Sequence, residues 1–195
     1  IQRSRGLGDV YKRQQIINSL RAANGARLIT LSSIAHRMGA VDFSDMNYDQ
    51  RPYDKWQAYG QAKSAQSLMA VELDRQEKDN NIRSFSVHPG GIFTPLQRHL
   101  GNAEMAEFGW TDTEGNPSAV AEKLFKSPSQ GCATSLWAAT AVSLNGMGGV
   151  YCEDCNISRV VPDDSNDVTG VRQWAVASDI AEQLWDETDR LLARL

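Results

Sequence analysis

Two short apolar runs separated by a long helical pattern constrain this chain more than any other feature. Arg27 to Ser33 (RLITLSS) is a β-favouring run bounded by turn residues. Ile82 to His88 (IRSFSVH) is a second, stopped by Pro89-Gly90-Gly91. Between them Gln57 to Lys78 has helical spacing: Ala58, Ala62, Ala65, Met69 and Leu73 form one apolar stripe, and Asn80-Asn81 ends it. Apolar strands joined by a helix indicate a parallel sheet with covered faces, and hence an α/β layer fold.

The flanking segments extend the alternation. Gln15 to Ala23 reads as the tail of a helix, with Ile16, Ile17 and Leu20 on one face and Asn24-Gly25 as its stop. A polar loop runs to about residue 55, and residues 95–127 form a polar segment suited to a cap over a site. Ser127-Pro128 starts a helix expected to reach about Leu144, with Ser as N-cap and Pro in the first turn. Gly148 to Tyr151 reads as a short strand. A last helix runs from Val171 or Ser178 to Leu195, its stripe Ile180, Leu184, Leu191 and Leu195.

Composition narrows the class. The 195 residues are 41% hydrophobic and 23% charged, enough apolar material for a packed core. The net charge of −4, with both signs interspersed, leaves no nucleic-acid footprint. No apolar run approaches the ~18 residues of a membrane span. Three cysteines, Cys132, Cys152 and Cys155, are too few for a disulfide framework and suit a reducing, cytoplasmic compartment.

The first fourteen residues, IQRSRGLGDVYKRQ, stand apart. They lack periodicity and set Arg3, Arg5, Lys12 and Arg13 against a single acid, Asp9. Ser4-Arg5-Gly6-Leu7-Gly8 imitates half of a phosphate-binding glycine turn, but such a turn follows a strand, and there is no room for one before Ser4. The stretch from Ser4 to Gln14 resembles the read-through translation of a sequencing adapter. The expected organisation is therefore a foreign tail over 1–14 and one catalytic unit over 15–195.

Chemistry enters through three features in series: Ser32-Ser33 closing a strand, Tyr59-Gly-Gln-Ala-Lys63 early in a helix, and Pro89-Gly-Gly-Ile-Phe-Thr94 leaving the next strand. Ligands of parallel α/β sheets bind beyond the carboxyl ends of strands, where Ser33 and the Pro-Gly turn fall. Tyr59 and Lys63 are four apart and share a helix face. A tyrosine is a weak base at its ordinary pKa of about 10. A lysine ammonium at ~4 Å, worth at most about 4 kcal/mol at an effective dielectric of ~20, is expected to lower that value. Tyr59 could then exchange a proton with an alcohol or ketone whose oxygen Ser33 holds.

The order SSIAH, AYGQAK, VHPGGIFT resembles the short-chain dehydrogenase/reductase superfamily, and most of all its retinol-dehydrogenase-like and WW-domain-oxidoreductase-like branch. There the loop between Ser and Tyr is long; here the two are 26 positions apart. The later stretch PSQGCATSLWAATAVSLNGMGGVYCEDC is also similar to bacterial members, so the resemblance covers about residues 15–195. It implies a Rossmann-like, doubly wound parallel sheet, of which this chain carries the carboxyl-terminal portion. It further implies Tyr59 as general acid/base, Lys63 on the nicotinamide ribose, and Ser33 positioning the substrate oxygen. Pro89, Gly90, Ile92 (through its backbone) and Thr94 would line the nicotinamide and pyrophosphate side of bound NADP or NAD. The reaction implied is hydride transfer to or from a small apolar alcohol or carbonyl compound. Family members often pair through the Tyr–Lys helix, so a homodimer is compatible with the resemblance.

The family's glycine-rich turn, its NAG-type segment and its catalytic Asn have no counterpart here; Asn18 is too close to Ser33 for that role. The chain by itself is accordingly expected to be inactive. Two rival readings are a sugar-nucleotide epimerase or dehydratase, which shares YxxxK, and a non-catalytic dinucleotide-binding protein. The former is disfavoured because only 101 residues follow Thr94, the latter because Ser33, Tyr59 and Lys63 are all intact. Cys152-Glu-Asp-Cys155 has CxxC spacing but lacks a second ligand pair, so structural cysteines and no metal are expected. His36 is read as a loop-packing residue with a substrate-facing alternative, and His88 as a strand-end residue near the chemistry. Leu100, Phe108 and Trp110 are candidates for an apolar lid or for cover of the core edge. Trp137, Trp174 and Trp185 are assigned to core or interface.

Overall fold

The computed structural model describes residues 16–194. The tail over 1–14, with its glycine pattern, and Gln15 and Leu195 lie outside the described residues. In chain order the elements are α1 (residues 16–22), β1 (Ala26–Leu31), α2 (Lys55–Glu77), β2 (Ile82–His88), α3 (Asn102–Glu107) and α4 (Ala119–Leu124). There follow α5 (Pro128–Gly131), α6 (Ala133–Thr140), β3 (Val150–Glu153), β4 (Asn156–Ile157), β5 (Val160–Val161), β6 (Val171–Arg172) and α7 (Ser178–Leu192).

β1, β2 and β3 form a parallel sheet in that order, with β4 added antiparallel to β3. The register runs from Ala26 opposite Ile82 to Leu31 opposite Val87, and from Phe85 opposite Val150 to His88 opposite Glu153. β5 and β6 form a separate parallel pair. Both faces of the main sheet are covered, as its apolar strands require. Ile17, Met69, Leu73, Ile82 and Trp185 pack α1, α2 and α7 onto one face. Phe85, Val87, Ala138, Leu144 and Cys152 pack α6 and β3 together on the other. This is the expected doubly wound arrangement.

Several boundaries move for identifiable reasons. α2 begins at Lys55, not Gln57, because the Asp54 carboxylate caps it, accepting from the amides of Trp56 (3.0 Å) and Gln57 (2.7 Å). Its buried ridge includes Gly60, Ser64 and Ser67, small residues outside the apolar stripe, since this face lies against backbone. The helix expected over 127–144 is broken at Cys132 into α5 and α6, and the chain turns extended at Ala141. β3 starts at Val150, after Gly149 turns the chain at φ 67°. Residues 171–172 are strand, and α7 begins at Ser178, burying Ala181, Leu184, Trp185 and Thr188 at helical spacing. Trp185 and the partly buried Trp137 and Trp174 serve the core, as expected. Ile16, expected on the inner face of α1, is 43% exposed, leaving Ile17 and Leu20 as the packed residues.

Candidate active site

β1 hands the chain to the site. The Ser32 amide still donates to Val87 O (2.8 Å), and then the chain turns into a short 3-10 helix, Ile34–Met38, capped by Ser33. Ser33 Oγ accepts from the Ala35 amide at 3.1 Å. His36 fixes this turn from beneath. Its Nδ1 lies 2.8 Å from Ser33 O, which can only accept, and its Nε2 is 3.0 Å from the Arg172 amide, which can only donate. Those partners select the neutral tautomer with the proton on Nδ1. His36 is fully buried, its ring 5.3 Å from that of Tyr151, and burial pushes its pKa down to about 4. The loop-packing reading of His36 is the one that holds.

α2 is pressed onto this turn by two glycines. A Cβ on Gly60 would stand 2.6 Å from Gly39 N and 2.8 Å from Ala35 O, and one on Gly39 would stand 2.8 Å from Gln57 O. Ser64 Oγ reaches His36 O (3.1 Å) and Gly39 O (2.7 Å), while Ser32 Oγ donates to Lys63 O at 2.9 Å. The close approach sets the Tyr59 phenol beside the Ser33 side chain. Lys63 Nζ donates to Leu31 O (2.8 Å) and Gln66 Oε1 (3.0 Å) and lies 5.5 Å from the Tyr59 ring centroid.

The direction of the Tyr59 pKa differs from the sequence expectation. Burial pushes the phenol up from its ordinary value, and the neighbouring Ser33 hydroxyl pulls the other way without cancelling it. The lysine ammonium donates to Leu31 O and Gln66 Oε1, and desolvation is the largest influence on the phenol.

The turn after β2 sits beside this junction. His88 Nδ1 accepts from the amides of Ile34 (3.3 Å) and Gly90 (3.4 Å), linking the Ser33 turn to Pro89–Gly91, and burial holds its pKa down to about 4. Gly90 has φ 94° and lies under the Lys126 side chain, which is ion-paired with Asp154. Ile92 O accepts from Gln97 Nε2 at 2.8 Å. Thr94 Oγ1 accepts from the Leu96 amide at 3.2 Å and caps the 3-10 turn Pro95–His99. Ser33, Tyr59 and Lys63 are thus brought together, with Pro89 to Thr94 joined to them through His88.

Residues 95–127 are organised by aromatic rings rather than being a featureless polar loop. Tyr59 lies edge-on to Trp56, with centroids 6.5 Å apart. Trp56 contacts Phe108 (4.7 Å), Phe108 stacks on Trp110 (5.1 Å), Trp110 meets Phe125 (5.9 Å), and Phe125 meets Phe93 (4.6 Å). Phe93 and Phe125, with Pro117, Ala121 and Pro128, line an open cavity of about 260 Å³. Phe108 and Trp110 are therefore in the row, and Leu100 instead closes the turn 95–99. Sequence reasoning passed over Trp56 and Glu104. Trp56 stands one helical turn before Tyr59, a spacing that could have flagged it.

Cys152 is a core residue of β3 whose thiol is pushed up to about 12 by burial, and Cys155 is exposed. Among the described residues no group of three or more His, Cys, Asp or Glu side chains could hold a metal ion.

The chain is 39% identical over 168 residues to a probable oxidoreductase of Streptomyces lividans, covering 86% of this chain and 56% of that protein. It is 33% identical over 179 residues to the short-chain dehydrogenase/reductase prx1 of Penicillium roqueforti, covering 92% and 50%. The chain belongs to the short-chain dehydrogenase/reductase superfamily. It is also 29% identical to mouse retinol dehydrogenase 13, over 95% of this chain and 51% of that protein. Among solved structures, an uncharacterised protein of Mycobacterium paratuberculosis shares the fold at TM-score 0.53 and 23% identity, over 86% of this chain and 50% of that one. No protein-family model matches. The chain spans about half the length of the curated relatives it matches. This dehydrogenase/reductase chain holds no helix, among its described residues, long and apolar enough to cross a membrane.

Proposed function

We propose that this chain carries the proton-transfer half of an NADP- or NAD-dependent oxidoreductase acting on a small apolar alcohol or carbonyl compound. The observation that carries the reading is the placement of the Ser33 and Tyr59 side chains beside one another at the carboxyl end of β1, with Lys63 one helical turn behind Tyr59. The described residues suit the nicotinamide-ribose end of such a cofactor. The Lys63 ammonium sits at the strand end, and Gly91 keeps the turn after β2 open where a Cβ would meet the Phe125 ring at 2.8 Å. When bound, the nicotinamide supplies or accepts the hydride. Lys63 would hold the ribose hydroxyls, and the backbone of Pro89 to Thr94 would line the nicotinamide side.

The remaining chemistry belongs to this chain. Ser33 Oγ holds the substrate oxygen beside the phenol. The Tyr59 phenol donates its proton to that oxygen as negative charge develops on it, and burial, by raising its pKa, further favours the protonated form. Recovery of the donor form requires a proton from solvent once the alcohol departs.

Tyr59→Phe removes the proton donor and leaves the ring packing intact. In a protein that joins this chain to the family's glycine-rich half, NADPH-linked carbonyl reduction should fall at least about 100-fold. Turnover within about threefold of the parent would remove Tyr59 from the role. The 195-residue chain alone should show no turnover, and titration calorimetry should find NADPH binding weak or undetectable.

A further inference from the structure

The amino-terminal turn of α2 carries a contact that the hydride-transfer reading does not use. Lys55 Nζ and Trp56 Nε1 converge on one oxygen, Glu104 Oε1, at 2.5 Å and 3.0 Å. Glu104 belongs to α3, in the segment that crosses from the end of β2 to α5, and it joins that segment to the helix bearing Tyr59. α3 has no side-chain cap at its own start, and Glu104 in its first turn ties it to α2. Asp54 fixes the other end of the contact by capping α2 at the Trp56 amide. The indole is consequently held at both its backbone and its N–H.

Its location gives the clasp a function. Trp56 is three residues before Tyr59, on the same face of the helix, and its ring stands edge-on to the phenol ring at 6.5 Å. From the indole the ring row continues through Phe108 and Trp110 to Phe125 and Phe93, in steps of 4.6–5.9 Å. Phe108 and Phe93 remain 37% and 36% exposed, so the row presents ring surface to a ligand. Rings arranged edge-on and stacked offer a flat ligand quadrupole-matched contacts that a flexible alkyl chain cannot make.

We propose that Trp56, held by the Glu104 clasp, is a specificity-determining residue of the site and that the ring row selects aryl alcohols and carbonyl compounds over aliphatic ones. This rests on the hydride-transfer reading for the place of the reacting oxygen beside Tyr59. Lys55 contributes by pairing with Glu104, so the indole meets a charged acceptor already fixed in position. Releasing the clasp frees the indole and uncouples α3 from α2, leaving Ser33 and Tyr59 in place through Gly39 and Gly60.

The test compares 2-naphthylmethanol with 1-octanol, measured by equilibrium dialysis against the 195-residue chain. The naphthyl alcohol should bind about tenfold more tightly, the upper end of what ring–ring contacts add beyond buried area. Trp56→Leu and Glu104→Ala should each bring the two alcohols to within about twofold of one another, while Glu104→Gln, which keeps an acceptor for the indole, should retain most of the preference. The ratio is taken within one preparation, so an unfolded fraction cancels. Should Glu104→Ala fail to fold by far-ultraviolet circular dichroism, Trp56→Leu decides alone. The proposal is overturned if 1-octanol binds as tightly as the naphthyl alcohol, if neither binds, or if the preference survives Trp56→Leu. Tyr59→Phe should leave the preference intact. In the protein joined to the glycine-rich half, failure of Tyr59→Phe to lose turnover would count against the hydride-transfer reading, whereas persistence of the preference in Trp56→Leu counts against the ring row.

Discussion

The Ser33–Tyr59 junction and the cap over residues 95–127 meet at Trp56, yet they are held by opposite means. At the junction backbone touches backbone: Gly60 lies against Gly39 and Ala35, and buried Ser32, Ser64 and Ser67 complete the hydrogen bonds between turn and helix. In the cap, short helices are joined by half-buried rings and a few side-chain contacts, among them Glu104 with Lys55 and Trp56. A backbone junction tolerates almost no displacement and suits a proton transfer that depends on geometry. A ring-lined segment can change side chains without moving its frame, and suits the selection of substrates.

The comparison can be broken most sharply at Gly60. Gly60→Ala places a Cβ 2.6 Å from the Gly39 nitrogen, where no side-chain rotation can relieve it. The variant should lose about 3 kcal/mol of stability in urea denaturation and lose the Ser33–Tyr59 contact as well. A loss under about 1 kcal/mol would mean that the junction is as adaptable as the cap.

A smaller effect should come from acid. His36 is neutral in the folded chain with a pKa near 4, while the unfolded chain protonates near the ordinary 6.5. Between those values the unfolded state binds more protons, so stability is full above about pH 6.5 and declines as pH falls toward 4. For His36 the decline to pH 4.5 is about 2 kcal/mol. His88, also lowered to about 4, adds in the same direction. Urea midpoints across this range should show the slope, and His36→Asn should flatten part of it. A flat profile would remove His36 from its place between Ser33 and Arg172.

The smallest effect belongs to the cap. Ser118 caps α4, accepting from the Ala121 amide at 3.0 Å. Ser118→Ala should cost about 1 kcal/mol, lowering the urea midpoint by only about 0.5 M. A cost as large as that of Gly60→Ala would show that the cap and the junction unfold as one rigid unit.

Much of the frame was legible in the sequence because strand and helix periodicity are local properties. Ile82–His88 lies where its apolar run places it, and Ser33 falls just past the end of β1 because a hydroxyl there caps the next turn. The start of α2 carried a readable signal in Asp54, whose carboxylate is a standard cap at that offset. Other features were not local. The break at Cys132, the pairing of His36 with Arg172 across 136 positions, and the contact between Glu104 and Trp56 across 48 depend on elements distant in the chain.

The sequence by itself determined the layered α/β frame, the order Ser33, Tyr59, Lys63 and the turn after β2, because spacing along a helix or strand fixes which side chains share a face. Only the tertiary structure decided that burial raises the Tyr59 pKa and that the cap is clasped to its helix. Desolvation depends on everything packed around a group, and a carboxylate chooses its partners in space, not along the chain.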